Sequence, residues 1–375
     1  MPCITAPRCA RLRNVPGKKK RAHSGKKSSR VQNPTSLRHL ADHLGFSPAT
    51  VSLVLNRSSH ADSIPEETKE RILAAARKLN YRPNFLARSL RTRRSFTVGV
   101  VVPEISEGYT ATVLGGIEDY LLEDGYFYFV TSHRHRPDLI EEYPKMFLDR
   151  NVDGVIAIDT AWHHALPVPV ATISGHNQAP GVTNIVLDHD RASELALQHL
   201  LHLGHRKIAF IKGQQFSSDT EVRWKANMEA AMRLGLEVRS RLTVQLEEDS
   251  PSPQVGYKAA KKLLHAKEPF TAIFAFNDIS ALGAMRVLRH SNLRIPEDVS
   301  VVGFDDIQSA ALAELTTVKQ PLRKMGRIAA EVVLRGVGQP SAKWGAKEIV
   351  VEPEFIVRQS TAKADHHCPV LKAQP

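Results

Sequence analysis

The chain has 375 residues, 42% of them hydrophobic and 24% charged, and its three cysteines, Cys3, Cys9 and Cys368, all stand near its ends. This excludes a disulfide framework and a low-complexity chain, and no apolar run reaches the roughly 18 residues that a bilayer span needs. The formal charge of +12 sits at the front: ten Lys/Arg and no acid over residues 1–34, eleven against five over 35–97, and thirty against thirty-four over 98–375. A basic front on a mildly acidic body points to a polyanion partner for the front alone. The basic start lacks an apolar stretch of signal-peptide type, so a cytoplasmic protein is expected.

Residues 1–34, with "GKKKRAHSGKKSSR", are Gly/Ser/Lys-rich and non-periodic, and are expected to form a disordered basic extension. An ordered head is expected over 35–82. Leu37, Leu40, Ala41 and Leu44 recur at i, i+3, i+4 and i+7, the spacing of an amphipathic helix that Gly45 can end. "SPATVSLVLN", Ser47 to Asn56, follows almost at once, with Ser47 as cap and Pro48 in the first turn. Val51, Val54 and Leu55 share a face that can pack on Leu40 and Leu44, while Ala49, Ser52, Leu53 and Asn56 share the other. A third helix has Ser63 and Glu66 spaced as a capping box, with Ile72, Leu73, Ala76 and Leu79 on its apolar side. After Pro83, "NFLARSLRTRR" reads as a short fourth helix within a hinge or linker over 83–96.

Two helices joined by a short, Gly-containing turn have helix-turn-helix geometry, whose second helix enters a major groove with its N-terminal side chains at base edges. Small side chains let the backbone approach the bases. Ser47, Ser52 and the free N–H groups of the first turn suit phosphate oxygens.

From Phe96 the texture changes to short apolar runs alternating with helical stretches. The runs are "FTVGVVVP", "YFYFVTS", "GVIAI", "VPVATIS", "NIVLD", "KIAFIKG", "LTVQL", "TAIFAFND" and "VSVVGFDD"; the helical stretches include 110–124, 139–150, 191–203, 220–234 and 279–290. This pattern predicts parallel sheet covered on both faces. Nine or ten strands are too many for one small sheet, so a two-lobed α/β body is expected over 97–360, followed by a disordered tail, 361–375. The pattern does not locate where the chain crosses between lobes.

"LADHLGFSPATVSLVLN" and "IPEETKERILAAARKLNYRPNFLARSLRT" closely resemble the DNA-binding head of the lac-repressor-type (LacI/GalR) family of bacterial transcription regulators. The resemblance continues through "VGVVVPEIS", "RNVDGVI", "LHLGHRKIAF", "FAFNDISALGAMRVLR", "IPEDVSVVGFDD" and "LTTVKQP", and covers residues 35 to about 360. It implies a small all-α helix-turn-helix head, a hinge helix, and an α/β two-lobed, periplasmic-binding-protein-like body with parallel sheets. It further implies a homodimer on a near-palindromic double-stranded operator, with a small effector between the lobes that alters hinge spacing and operator affinity.

The family's base-reading positions fall on Pro48, Ala49 and Leu53, where other members carry polar residues. Ala49 and Leu53 offer only apolar contact, most naturally to a thymine methyl, so phosphate contacts and DNA shape gain weight. The DNA-contacting set implied is Ser47, Pro48, Ala49, Thr50, Ser52, Leu53, Asn56 and Arg57 in the head, and Asn84, Ala87, Arg88, Leu90 and Arg91 in the hinge. Leu90 matches the wedge leucine that opens a minor-groove base step.

For the effector, ligands of open α/β sheets bind at strand C-terminal ends, where Asp188, Asn277, Asp278, Asp305 and Asp306 fall. Asp278 and Asp306 are read as helix-capping or structural. Arg223, Asn277, Asp305 and Gln320 match family effector contacts by motif position. The first lobe departs from the family: Glu107, Gly108, Tyr109 and Thr110 replace Asn-Pro-Phe-Phe, and Ser174-Gly175 stand where Asp-Arg is frequent. Tyr109 offers a ring for a sugar face and Glu107 an acceptor for hydroxyls. The expected effector set is thus Glu107, Tyr109, Asp188, Arg223, Asn277, Asp305 and Gln320, with a carbohydrate as the natural ligand and a nucleobase or nucleoside as the alternative.

A sugar-binding transport module leaves the helix-turn-helix unexplained. An enzyme of doubly wound fold needs a nucleophile or cofactor loop, and no Walker loop, G-x-S-x-G or H-E-x-x-H occurs. His163-His164 and His366-His367-Cys368 have no paired ligand sets, so no metal and no cofactor is expected. No leucine-heptad stretch follows residue 360, which favours a dimer over a tetramer.

Overall fold

A computed structural model describes residues 36–56, 59–81, 89, 92–106, 108–163, 165–176, 179–248, 252–340, 344 and 347–364. The chain divides after residue 84 into two compact units.

The first unit is built on α1 (Leu37–Leu44), α2 (Pro48–Leu55) and α3 (Glu66–Lys78), with a 3-10 turn at Ser59–Ser63. Ser36 caps α1, accepting from the His39 N–H. Gly45 ends it at φ +71°, a left-handed conformation that costs glycine little. The Ser47 hydroxyl caps α2 by accepting from the Thr50 N–H at 3.0 Å. Leu40, Ala41, Val51, Val54, Ile72 and Ala76 form the core.

Three sequence expectations are corrected here. Ser63 and Glu66 form no capping box: Pro65 takes the N-cap position without a side-chain bond, and the Ser63 hydroxyl donates to the His60 carbonyl in the 3-10 turn. Leu73 is exposed rather than packed. Ser52 turns inward and is buried, and its hydroxyl accepts from Asn56 Nδ2 at 3.1 Å, so it does not belong to the outward face.

The second unit holds two six-stranded sheets. The first has the order β11-β5-β4-β3-β1-β2 and the second β12-β10-β9-β8-β6-β7. Strands β1 (Thr97–Val102), β2 (Phe127–Ser132), β3 (Gly154–Ile158), β4 (Val170–Ile173) and β5 (Val182–Leu187) belong to lobe 1. Strands β6 (Ile208–Lys212), β7 (Thr243–Gln245), β8 (Ala272–Ala275), β9 (Ser300–Asp305) and β10 (Thr316–Lys319) belong to lobe 2. The chain then returns to lobe 1 for β11 (Lys347–Val351) and ends in lobe 2 with β12 (Glu354–Ile356), whose pairing to β10 is antiparallel. All other pairings are parallel.

The helices are α4 (Gly108–Glu123), α5 (Pro137–Asp149), α6 (His189–His202), α7 (Asp219–Arg233), α8 (Gln254–His265), α9 (Asp278–His290), α10 (Gln308–Leu312) and α11 (Leu322–Gly336). None among the described residues is long and apolar enough to cross a membrane. α11 follows a lobe 2 strand yet packs on α4 in lobe 1, so closely that a Cβ on Gly116 would lie 1.9 Å from the Arg323 carbonyl oxygen. Arg323 to Asp119 and Arg327 to Glu123 bridge the same two helices.

The chain therefore crosses between lobes at Asp188, at Gln320–Pro321 and at residues 352–353. Both edges of the body exceed expectation. Asp153 accepts from the N–H groups of Ser95 and Phe96 at 2.7 and 2.8 Å, tying down residues assigned to the linker. Residues 361–364 are not a free tail: Ala364 N–H donates to the Leu203 carbonyl, and the Ala362 carbonyl meets His205 Nε2 at 2.9 Å.

Candidate functional site

In the head, α2 exposes its first turn. Ser47, Pro48 and Ala49 are exposed, Thr50 and Leu53 are half-buried, and Asn56 is exposed at the far end. The N-terminus of α2 thus presents small, exposed side chains, the surface an α-helix needs to approach a groove closely. Arg57, Asn84, Ala87, Arg88, Leu90 and Arg91 lie outside the described residues, as does Glu107.

In the body, parallel strands of both lobes bring their C-terminal ends to one cleft. Lobe 1 contributes Tyr109, Asp159, Ser174 and His176; lobe 2 contributes Asp219, Arg223, Phe276, Phe304, Asp305 and Gln320. Asp159, Ser174, His176 and Asp305 all have positive φ, a strained backbone state for residues with a side chain that clusters at functional sites.

Arg223 is the centre of the cleft and only 3% exposed. Its Nη2 donates to Asp219 Oδ2 at 2.7 Å and its Nη1 to the Phe276 carbonyl at 2.5 Å. The guanidinium carbon lies 3.8 Å from the Phe304 ring centroid and 4.4 Å from that of Phe276. Asp219 also takes a bond from His176 Nε2 at 2.5 Å, and His189 Nε2 lies 3.4 Å from the same oxygen. Burial raises the Asp219 carboxyl, but His189, Arg223 and His176 outweigh it and hold the group well below the usual carboxylate range. Burial lowers His176, and the Asp219 carboxylate more than offsets this, so its net displacement is upward. His189 is pulled down mainly by burial, against the upward pull of Asp219. His176, His189 and Asp219 bring their ligand atoms within 4.8 Å of one another. The direct His176 bond and the Arg223 bond already use both Asp219 oxygens, so the group is an ion-pair network.

The same network clasps the lobes. His176 reaches Asp219 across the cleft, and Ser217 and Ser218 of lobe 2 donate to Asp159 of lobe 1. Ser218 Oγ also donates to the Ser174 carbonyl. His135 stacks on Phe216 at the mouth, ring centroids 3.8 Å apart. Tyr109 bonds Ser174 Oγ at 3.2 Å, and burial, with the Asp219 and Asp159 charges, pushes its phenol well above the usual range.

Asp305 accepts from Gln320 Nε2 at 2.7 Å, and burial raises its carboxyl despite Arg223. Gln320 itself sits at the second crossing. Asn277 is the N-cap of α9, in a reciprocal capping box with Ser280. Asp188 is likewise a cap, accepting from the Arg191 N–H at 2.8 Å, while its own N–H holds the Val351 carbonyl at the third crossing. Asp278 is fully buried, accepting from Thr317 Oγ1 and the Ile307 N–H, and Asp306 pairs with Arg358. The structure therefore brings Tyr109, Arg223, Asp305 and Gln320 together, and gives Asp188 and Asn277 capping bonds. Sequence reasoning missed Asp219, His176, Asp159 and the Phe276/Phe304 pair. One signal was available: Asp219 stands four residues before Arg223, the spacing of a helical ion pair.

A helix-turn-helix head joined to a two-lobed body with a buried polar cleft defines a ligand-controlled DNA-binding protein. Comparison with known proteins narrows the class. Residues 36–84 match the family of bacterial regulatory proteins, lacI family, and residues 197–361 match the periplasmic binding protein-like domain. The chain is 28% identical over 341 residues to the HTH-type transcriptional repressor PurR of Mannheimia succiniciproducens, covering 88% of this chain and 99% of that one. The lac repressor dimer bound to operator and the anti-inducer ONPF superposes with a TM-score of 0.75 at 25% identity, over 88% of this chain and 100% of that one. The transcriptional regulator CelR in complex with cellobiose gives 0.63 at 29% identity, over 87% and 99%. The chain is a DNA-binding transcription regulator of the lacI type, a repressor controlled by a small ligand.

Proposed function

We propose that the chain acts as a homodimer on a near-palindromic double-stranded operator and releases or grips it according to an uncatalysed binding event between its lobes, with a carbohydrate as effector. One observation carries the ligand half of this reading. Arg223, Asp305 and Gln320, from three separate elements, converge on the cleft, and Arg223 Nε and Gln320 Oε1 are buried without a partner. Buried polar groups left open in a cleft are what hydroxyl groups satisfy in pairs. The cellobiose complex of CelR supports a sugar. The same open donor and acceptor, Arg223 Nε and Gln320 Oε1, also suit the edge of a nucleobase or nucleoside, which is the second reading.

For the dimer, Leu122, Phe127 and Phe129 are exposed around β2, an edge strand of lobe 1, and Leu312 is 81% exposed in lobe 2. An apolar edge is a face that a second copy covers. The head residues Ser47, Pro48, Ala49, Thr50, Leu53, Asn56 and Arg57 meet the operator in this reading, with Asn84, Ala87, Arg88, Leu90 and Arg91 in the minor groove. The protein works in the cytoplasm, on the nucleoid.

The test is titration of the full chain against DNA fragments from its own locus. Binding should weaken with salt, with a logarithmic slope of about 0.9 per phosphate contact, and Leu90→Ala should weaken it further. Failure to shift any fragment would favour a sugar-binding module without a DNA role; turnover of a candidate sugar would favour an enzyme. A calorimetric screen of sugars and nucleobases then separates the two ligand readings.

A further inference from the structure

We infer that Asp219 is a specificity-determining residue that reserves the cleft for an uncharged ligand and rejects anions such as sugar acids and phosphate esters; this rests on reading the cleft as an effector site. An anionic ligand needs a cation with charge to spare. Arg223 has none, because Asp219, four residues earlier on the same helix, neutralises it at 2.7 Å, and the Phe304 and Phe276 ring centroids lie 3.8 and 4.4 Å from the guanidinium carbon. His176 is spent on the same carboxylate at 2.5 Å. Asp159 and Asp305 stand on either side of the cleft, and neither side chain offers a positive charge to an incoming anion.

Displacement does not rescue it. The Asp219 side chain is 6% exposed, so a ligand carboxylate that took its place on Arg223 would leave Asp219 buried beside it. Two like charges in a site that cannot ionise both are strongly disfavoured. The open positions are of the other kind. Arg223 Nε and Gln320 Oε1, with the buried Thr110 Oγ1, have no partner. They are a donor, an acceptor and a hydroxyl that serves as either, and a hydroxyl or amide pairs with them without adding net charge.

The experiment uses the full chain and matched probes: cellobiose, glucose and ribose against gluconate, glucose 6-phosphate and ribose 5-phosphate, and adenine and adenosine against adenosine monophosphate, all by calorimetry at pH 7. Wild type should bind a neutral member at least 100-fold more tightly than its charged counterpart. Asp219→Asn, which keeps shape and removes the charge, should cut that ratio to tenfold or less, because Arg223 is then free to seek an anion. Asp219→Thr, smaller and also neutral, should do the same and serves if the asparagine variant does not fold. A wild type that prefers the charged partner overturns the inference and leaves the effector reading standing, as does an unchanged ratio in a folded Asp219 variant. Binding of no probe at all would instead sink the effector reading, and this inference with it.

Discussion

Removing Arg223 tests how much of the body's stability the cleft carries. In Arg223→Ala the Asp219 carboxylate loses the partner at 2.7 Å, and both side chains are only 4–6% exposed. At a surface such a pair is worth about 0–1 kcal/mol, but breaking a buried pair costs about 3–5 kcal/mol because the remaining charge is stranded. His176 stays bonded to Asp219 and offsets part of this, while the lost contact with the Phe304 ring, roughly 1 kcal/mol, adds to it. The expected loss is about 3–4 kcal/mol at pH 7, read as a lower urea midpoint with an unchanged slope. Asp219 has a depressed folded pKa, so its contribution is present above the unfolded value and lost as pH falls through the folded one. The gap between wild type and variant should therefore be widest near neutrality and close in acid. In the same variant effector response should vanish while operator binding persists. A loss under about 1 kcal/mol, or a gap that does not vary with pH, would refute the buried ion pair.

Asp278 titrates the other way. Burial raises it to about 7, and a raised carboxyl stabilises the fold in its protonated form, so the body should lose up to about 4 kcal/mol between pH 4 and 7 on this group's account. Asp278→Asn should flatten that slope in urea midpoints taken at successive pH values. Gly116→Ala places a methyl 1.9 Å from the Arg323 carbonyl oxygen and should cost about 2–3 kcal/mol in thermal or urea unfolding, since α4 and α11 must separate. Ser47→Ala removes the α2 cap and should cost the head about 1 kcal/mol, seen as faster amide exchange at Thr50.

What the sequence made legible follows from the range of the interaction involved. Period and composition exposed α1, α2 and nine strands, because each signal lies within ten residues. Strands β10, β11 and β12 are short and partly polar, and β11 and β12 join sheets whose other strands lie far back in the chain. No local pattern marks such a return. The same holds for α11, whose Gly326 fits against the Val113 carbonyl of α4 more than two hundred residues earlier. Arg223, Asp305 and Gln320 were found by motif position, yet what partners them was not. The His176–Asp219 bond depends on a loop after β4 meeting a helix start after β6, and only the third dimension joins them. Asp188 and Asn277 show why strand ends are ambiguous in a sequence: a polar residue there is also the residue that begins the next helix, and each caps one through a single side-chain oxygen.

Ligand control in such a body is a matter of difference. A ligand moves the lobes only as far as its affinity for the two arrangements differs. Here protein bonds already cross the cleft, from Ser217 and Ser218 to Asp159 and from His176 to Asp219. Neutral bonds of this sort are worth about 0.5–1.5 kcal/mol net and charge-assisted ones about 1.5–3. A ligand that merely replaces them bond for bond shifts nothing. One that seats beside them, on Arg223 Nε and Gln320 Oε1, adds to closure. One that inserts between His176 and Asp219 must first break the strongest of the clasps, and so favours the open form. The first and third crossings lie side by side, with the Asp188 N–H bonded to the Val351 carbonyl, and a rotation of the lobes about that seam would stretch neither sheet. The sign of regulation is therefore set by which side of the Asp219 carboxylate the ligand occupies.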